Sequence, residues 1–158
     1  MDESRLSFYI HKFHGTVYRL AYSYLKNPDD AEDVVQETFL RLYLSNTEFE
    51  TDENIKAWLI RVAINLSKDM LKSSWFRGRT ELDKDIPAKE KNEDTISEII
   101  EKLKPEYRAV IFLFYYEGYS VKEIAEMNEI SVSAATTRLS RARKKLKKLL
   151  LKEGYYEE

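Results

Sequence analysis

The sequence contains no cysteine, only four glycines and only three prolines among 158 residues. Without cysteine there is no disulfide framework and no thiolate metal site, and the chain suits a reducing cytosol. So little glycine and proline leaves no room for a turn-rich β architecture and points to an all-α chain. No apolar run approaches the ~20 residues that a membrane span needs, so membrane insertion is not expected. The start, "MDESRLSFYI", lacks a basic stretch followed by an apolar run and does not read as a signal peptide. Gly-rich phosphate loops and nucleophile elbows are missing too, so no catalytic residue, metal ligand or cofactor is assigned and no enzyme is expected. His11 and His14 share a helix face, but no carboxylate cluster at ligand spacing joins them.

A formal net charge of −2 conceals strong segregation. Between Asp29 and Glu53 the only basic residue is Arg41, amid Asp29, Asp30, Glu32, Asp33, Glu37, Glu48, Glu50, Asp52 and Glu53. Between Asn54 and Arg79 the balance reverses: Lys56, Arg61, Lys68, Lys72, Arg77 and Arg79 face the single acid Asp69. From Ile130 to Lys152 there is no acid at all, only Arg138, Arg141, Arg143, Lys144, Lys145, Lys147, Lys148 and Lys152. Two differently charged partners would produce this pattern, as would chance clustering on solvated helices.

Apolar periodicity divides the chain. A first helix is expected over residues 4–26 with Phe13, Val17, Leu20 and Tyr24 inward. A second starts at Asn27 and Pro28, a cap followed by the residue type suited to the first helical position, and runs to Leu44 over Val35, Phe39 and Leu42. A third covers residues 54–74, with Ile55, Trp58, Leu59, Val62 and Leu66 as its buried stripe. These three make one small helical domain, residues 1–75. Residues 76–94, polar around Gly78 and Pro87, read as a flexible linker. A second helical domain, 95–158, contains the nearly apolar "YRAVIFLFYYEGY", a helix expected to sit centrally and to end at Gly118. Ser120 and Glu123 then form a capping box, and Ser131 caps a last helix from Val132 to Lys152. Helix, tight turn, helix is the helix-turn-helix arrangement.

On the last helix, Val132, Ala135, Leu139, Ala142, Leu146 and Leu149 form a seam. Ser133, Thr136, Thr137, Ser140 and Arg141 face away from it at the N-terminal end, short hydrogen-bonding groups suited to base edges in a major groove. Arg138, Arg143, Lys144 and Lys145 can reach flanking phosphates; a merely solvated basic helix is the alternative. Arg61, Asn65, Lys68 and Lys72 share one face of the third helix, roughly opposite the Trp58 stripe, and Phe49 with Asn54 could hold a splayed base by stacking and hydrogen bonding. Asp33, Gln36 and Glu37 make an acidic, amide-bearing face on the second helix that suits a basic protein surface, or simply water.

These segments resemble the extracytoplasmic-function (ECF) sigma factors of bacterial RNA polymerase, which keep only regions two and four. "DAEDVVQETFLRLY" is similar to the family's polymerase-binding helix, "IKAWLIRVAINLSKDML" to its promoter-melting and minus-ten-reading helix, and "LKPEYRAVIFLFYYEGYSVKEIAEMNEISVSAATTRLSRARKKL" to region four, which reads the minus-thirty-five element. The resemblance implies that Asp33, Gln36 and Glu37 meet core polymerase. It places Asn54, Lys56, Trp58, Arg61, Asn65, Lys68 and Lys72 on the non-template strand, and Ser133, Ala134, Thr136, Thr137, Arg138 and Arg141 in the recognition helix. It further implies a linker threading toward the RNA exit path, an anti-sigma partner and a cytoplasmic protein. Two departures stand out. Asn128 and Glu129 occupy the turn where the family often has Leu and Gly, and Thr136 replaces a usual basic residue. A stand-alone helix-turn-helix regulator, binding its operator as a dimer without polymerase, is the competing reading; an enzyme built on the His11/His14 helix is a remoter one.

Overall fold

The computed structural model describes residues 1–76 and 96–155, and its regular elements are all helical. Helix α1, Glu3–Leu25, starts on the Asp2 side chain, which accepts from the Arg5 amide at 2.8 Å, and stops where Lys26 turns left-handed at φ 52°. Asn27 then caps α2, Pro28–Leu44, by accepting from the Asp30 amide at 3.0 Å, with Pro28 in the first turn. Helix α3 spans Asp52–Phe76. The first two helices therefore lie where cap and proline chemistry puts them.

The buried side of α3 is Ile55, Leu59, Ile60, Ala63, Ile64 and Ser67. This corrects the stripe expected from the sequence: Trp58, Val62 and Leu66 are only half-buried. The expected stripe grouped Trp58 with Ile55 and Leu59. At 100° per residue Trp58 instead falls on the side of Arg61 and Asn65, three and seven residues on. Apolar residues on a helix that is hydrophobic over much of its circumference do not reveal which arc faces the core.

The second module begins with the short helix α4, Ile96–Glu101, and α5, Pro105–Ile111. After α5 the backbone widens into a π-helical turn, Phe112–Tyr116, closed by the Glu117 amide donating to the Phe112 carbonyl at 3.1 Å. Gly118, at φ 76°, ends it. The wide turn leaves Tyr115 and Tyr116 exposed, so the apolar stretch is central through Ala109, Val110, Ile111, Leu113 and Tyr119. Helix α6, Val121–Asn128, opens with the capping box of Ser120 and Glu123, and α7, Val132–Lys152, opens on Ser131. The α6–α7 turn hinges on Glu129, left-handed at φ 56°, and not on the better-suited Asn128. Asn128 instead turns its amide inward to donate to the Ile124 carbonyl at 2.9 Å. Val132 is 50% exposed, so the α7 seam begins at Ala135 and continues through Leu139 and Ala142. The expected linker, apart from Phe76 at the end of α3, lies outside the described residues.

The two modules pack on each other. α1 touches α5 and the π turn, and α3 touches α6, so one apolar core runs from Tyr9 to Ala142. Arg108 of α5, 6% exposed, fastens the junction. It donates to the Ser23 and Tyr24 carbonyls at the end of α1 and to the Glu101 and Leu103 carbonyls of its own module. Burial lowers its pKa to about 10, which leaves it cationic at neutral pH against the negative end of the α1 dipole.

Candidate nucleic-acid and polymerase interfaces

Three surfaces carry the residues singled out from the sequence. On α2, Asp33 and Gln36 are exposed and Glu37 accepts from Arg41 Nε at 3.1 Å, one turn on. The same face continues into Leu40, 50% exposed, and Leu44, 68% exposed, with Tyr43 beside them. A hydrophobic strip rimmed by carboxylate and amide is the anatomy of a protein interface, with an apolar centre and a polar edge. Sequence reasoning missed Leu40, Tyr43 and Leu44. Their signal was present, since three large apolar residues lie off the stripe of Val35, Phe39 and Leu42.

On α3, Asn54, Arg61 and Lys72 are exposed, and Trp58 stands half-buried on the same side, its ring edge-on to Phe49 at 5.8 Å between centroids. A fixed aromatic pair beside an amide and two cations can stack and hydrogen-bond an unpaired base. The other α3 residues are drawn away from this group. Lys56 lies on the flank facing the second module, where its Nζ meets Glu117 at 2.8 Å below the Tyr119 ring. Burial works against the Lys56 charge, but the hydrogen bond and charge of Glu117 outweigh it, and its pKa rises. Glu117 also accepts from Thr16 Oγ1 at 3.1 Å, so one carboxylate of the second module holds α1 and α3 together. Asn65 donates to Glu129 at 3.3 Å. Lys68 is half-buried, and its pKa is lowered, first by burial and then by the nearby positive charge of Arg138.

On α7, Ser133, Ala134, Thr136, Thr137, Ser140 and Arg141 are exposed along the first two and a half turns. The Thr136 hydroxyl donates back to the Val132 carbonyl at 2.8 Å. Arg138 differs from its neighbours. Its guanidinium donates to Asn128 Oδ1 at 3.3 Å and lies 3.8 Å from Glu106, with 18% of the side chain exposed. It braces the α6–α7 turn against α5.

A sigma-70 region 2 model matches residues 9–77, and a sigma-70 region 4 model matches residues 93–146. Over 94% of its length the chain is 30% identical to the ECF RNA polymerase sigma factor SigW of Bacillus subtilis (strain 168), covering 90% of that protein. The chain belongs to the ECF sigma factors. As such it binds core RNA polymerase and promoter DNA and directs promoter-specific initiation. It is also similar to SigV of the same organism, at 33% identity over 86% of this chain and 85% of that one. Among solved structures it resembles CnrH in complex with the cytosolic domain of CnrY, with TM-score 0.67, 27% identity and coverage of 94% and 89%. It likewise resembles the sigma factor RpoE bound to the anti-sigma factor NepR from Bartonella quintana, with TM-score 0.66, 26% identity and coverage of 89% and 93%. These relatives lend no support to the stand-alone regulator. The two histidines of this sigma factor are spoken for locally: His11 Nδ1 lies 2.8 Å from the Ser7 carbonyl and His14 Nε2 lies 3.5 Å from Glu32. Among the described residues no helix is long and apolar enough to cross a membrane.

Proposed function

We propose that the three surfaces divide the work of initiation. The α2 face, Asp33, Gln36 and Glu37 with Leu40 and Leu44, docks core polymerase. Asn54, Trp58, Arg61 and Lys72 of α3 engage the unpaired non-template strand near the minus-ten element. Lys56, Asn65 and Lys68 join them once the second module moves aside. Ser133, Ala134, Thr136, Thr137 and Arg141 of α7 read the minus-thirty-five element in the major groove, with Arg138 holding the helix in place for them. Residues 1–75 and 95–158 act as the two DNA-reading units, and 76–94 as the tether between them. The protein performs no bond chemistry. Trapping an unstacked base costs a few kcal/mol, which duplex and polymerase contacts offset. It works in the cytoplasm, and an anti-sigma protein, as NepR is for the similar RpoE, binds it.

The observation that carries this reading is the uncovered apolar strip beside Asp33 and Gln36, on the face opposite the α2 core. Reconstitution with core polymerase tests it. The triple variant Asp33→Ala, Gln36→Ala, Glu37→Ala, and Leu40→Ala separately, should each weaken core binding about tenfold or more with unchanged helicity. Wild-type affinity in both would sink the docking assignment, and absence of any promoter-specific transcript would sink the whole division of labour.

A further inference from the structure

Next to the α7 surface, and sharing Arg141 with it, the fold assembles one more cluster of like charges. A cleft of about 320 Å3 separates the α4–α5 connection from the outer side of α7. One wall carries Lys102 and Lys104; the other carries Arg141, Lys144, Lys145 and Lys148. Among the described residues no carboxylate lines it. Glu153 stands at the margin and pairs with Lys102 at 3.3 Å. Tyr107 also lines the cleft, with the Lys104 ammonium 5.9 Å from the centre of its ring. The two walls lie about forty residues apart in sequence, so only the fold puts them together.

Like charges this concentrated repel, and the repulsion is relieved by an anion between them. The shape favours an extended anion. Thr137, Arg141, Lys144 and Lys148 succeed one another in steps of four, three and four, so they form a single column up α7. Arg141 to Lys148 covers about 10 Å at 1.5 Å per residue. Phosphates recur along each strand of duplex DNA, so a column of that length spans more than one of them. The column begins among the base-reading residues of α7 and leads away from them, so a strand leaving the major groove would meet the cleft next.

We infer that the cleft between the α4–α5 connection and α7 grips the phosphodiester backbone of the duplex flanking the upstream promoter element. Lys104 and Lys148 clamp it from opposite sides. This rests on the proposed placement of the α7 N-terminal half in the major groove. The cleft adds sequence-independent affinity and a steep salt dependence; it adds no base preference.

The test uses holoenzyme reconstituted from core polymerase and the full chain. Duplex promoter affinity is measured against salt for wild type and for the double variant Lys104→Gln, Lys148→Gln. Losing two phosphate contacts should make the log–log slope shallower by about 1.8, at 0.9 per phosphate. The affinity ratio between an intact and a scrambled upstream element should stay at its wild-type value. An unchanged slope would overturn the inference, and so would a reduced ratio, which would make the cleft a base reader. Inorganic tripolyphosphate titrated onto the chain separates a free anion from the backbone. Micromolar binding that the double variant abolishes, with the slope unchanged, would assign the cleft to a free polyanion and refute the DNA clamp. Ser133→Ala, Thr137→Ala is the companion: it should lower the ratio and leave the slope alone. If it leaves the ratio intact, the base-reading placement fails while the cleft result still stands by its own slope.

Discussion

Glu117 shows how a single side chain can hold two modules together. It is 7% exposed on its side chain and has partners on both α1 and α3. Removing one member of a fully buried pair strands the other at about 3–5 kcal/mol; Lys56 keeps partial access to water, so the cost here is smaller. Glu117→Ala should therefore lower the urea midpoint. Glu117→Gln, which keeps an acceptor for Thr16, should cost less, and equal losses in the two variants would mean that the lost charge facing Lys56, and not the acceptor for Thr16, carries the effect. Asp52 ties α3 to α1 more openly. It accepts from Tyr9 Oη at 3.0 Å and from Lys12 Nζ at 2.9 Å, and these contacts, Lys12 first, hold its carboxyl below the usual 3.8. A depressed carboxylate stabilises the fold above its unfolded pKa and loses that contribution as pH falls through the folded value. Asp52→Asn should flatten the dependence of stability on pH below 3.8 and leave its shape near neutrality unchanged, as read by thermal unfolding across a pH series. None of these partners could be named from the sequence, because each contact joins residues at least forty positions apart in the chain.

The helix-turn-helix was legible as an element because capping chemistry is local. Ser120 with Glu123, and Ser131 ahead of α7, sit where the sequence puts them. The geometry of the turn was less legible. Its closing bonds, Ile130 N–H to the Ala125 carbonyl at 3.0 Å and Glu129 N–H to the Glu126 carbonyl at 3.2 Å, make the Schellman pattern that demands one left-handed residue. That residue is Glu129, although asparagine is the better left-handed type, because the Asn128 side chain is needed inside, between the Ile124 carbonyl and Arg138. A side chain at φ 56° costs about 1 kcal/mol that glycine does not incur. Glu129→Gly should accordingly raise the unfolding temperature of the second module by a few degrees while removing the Asn65 contact. A fall in stability would show that this contact outweighs the backbone strain. Ser131→Ala should cost about 1 kcal/mol by the same unfolding measurement, through loss of the cap.

At the scale of the molecule the second module lies against the flank of α3 that carries Lys56, Lys68 and part of Asn65. The closed chain thus exposes Asn54, Arg61 and Lys72 while covering other members of the same strand-binding set. At the junction Lys68 loses hydration and meets Arg138, which repels it, as well as Glu106 and Glu129, which attract it. The proposed division of labour then requires core polymerase to part the modules. The absence of native cysteine makes this directly measurable. Dyes on Asp69→Cys and Lys122→Cys, one in each module and both exposed, should show falling energy transfer when core polymerase is added. Glu117→Lys should lower the transfer in the free chain and increase its binding to single-stranded minus-ten DNA. Unchanged transfer in both cases would mean that the closed arrangement is the working one.

The sequence alone determined the helical class, the starts of the helices that open on a cap or proline, and the charge segregation, because caps, proline positions and composition act over a few neighbouring residues; α3, expected from residue 54, starts at Asp52. It also carried the family resemblance, through motif blocks that are contiguous in the chain. Tertiary structure decided the rest, since burial and pairing depend on residues far apart in sequence. It moved Trp58 from the core stripe to the open face, turned Arg138 into a brace, and uncovered Leu40 and Leu44. It also brought Lys102 and Lys104 opposite the α7 lysines and set the two modules against each other around Glu117.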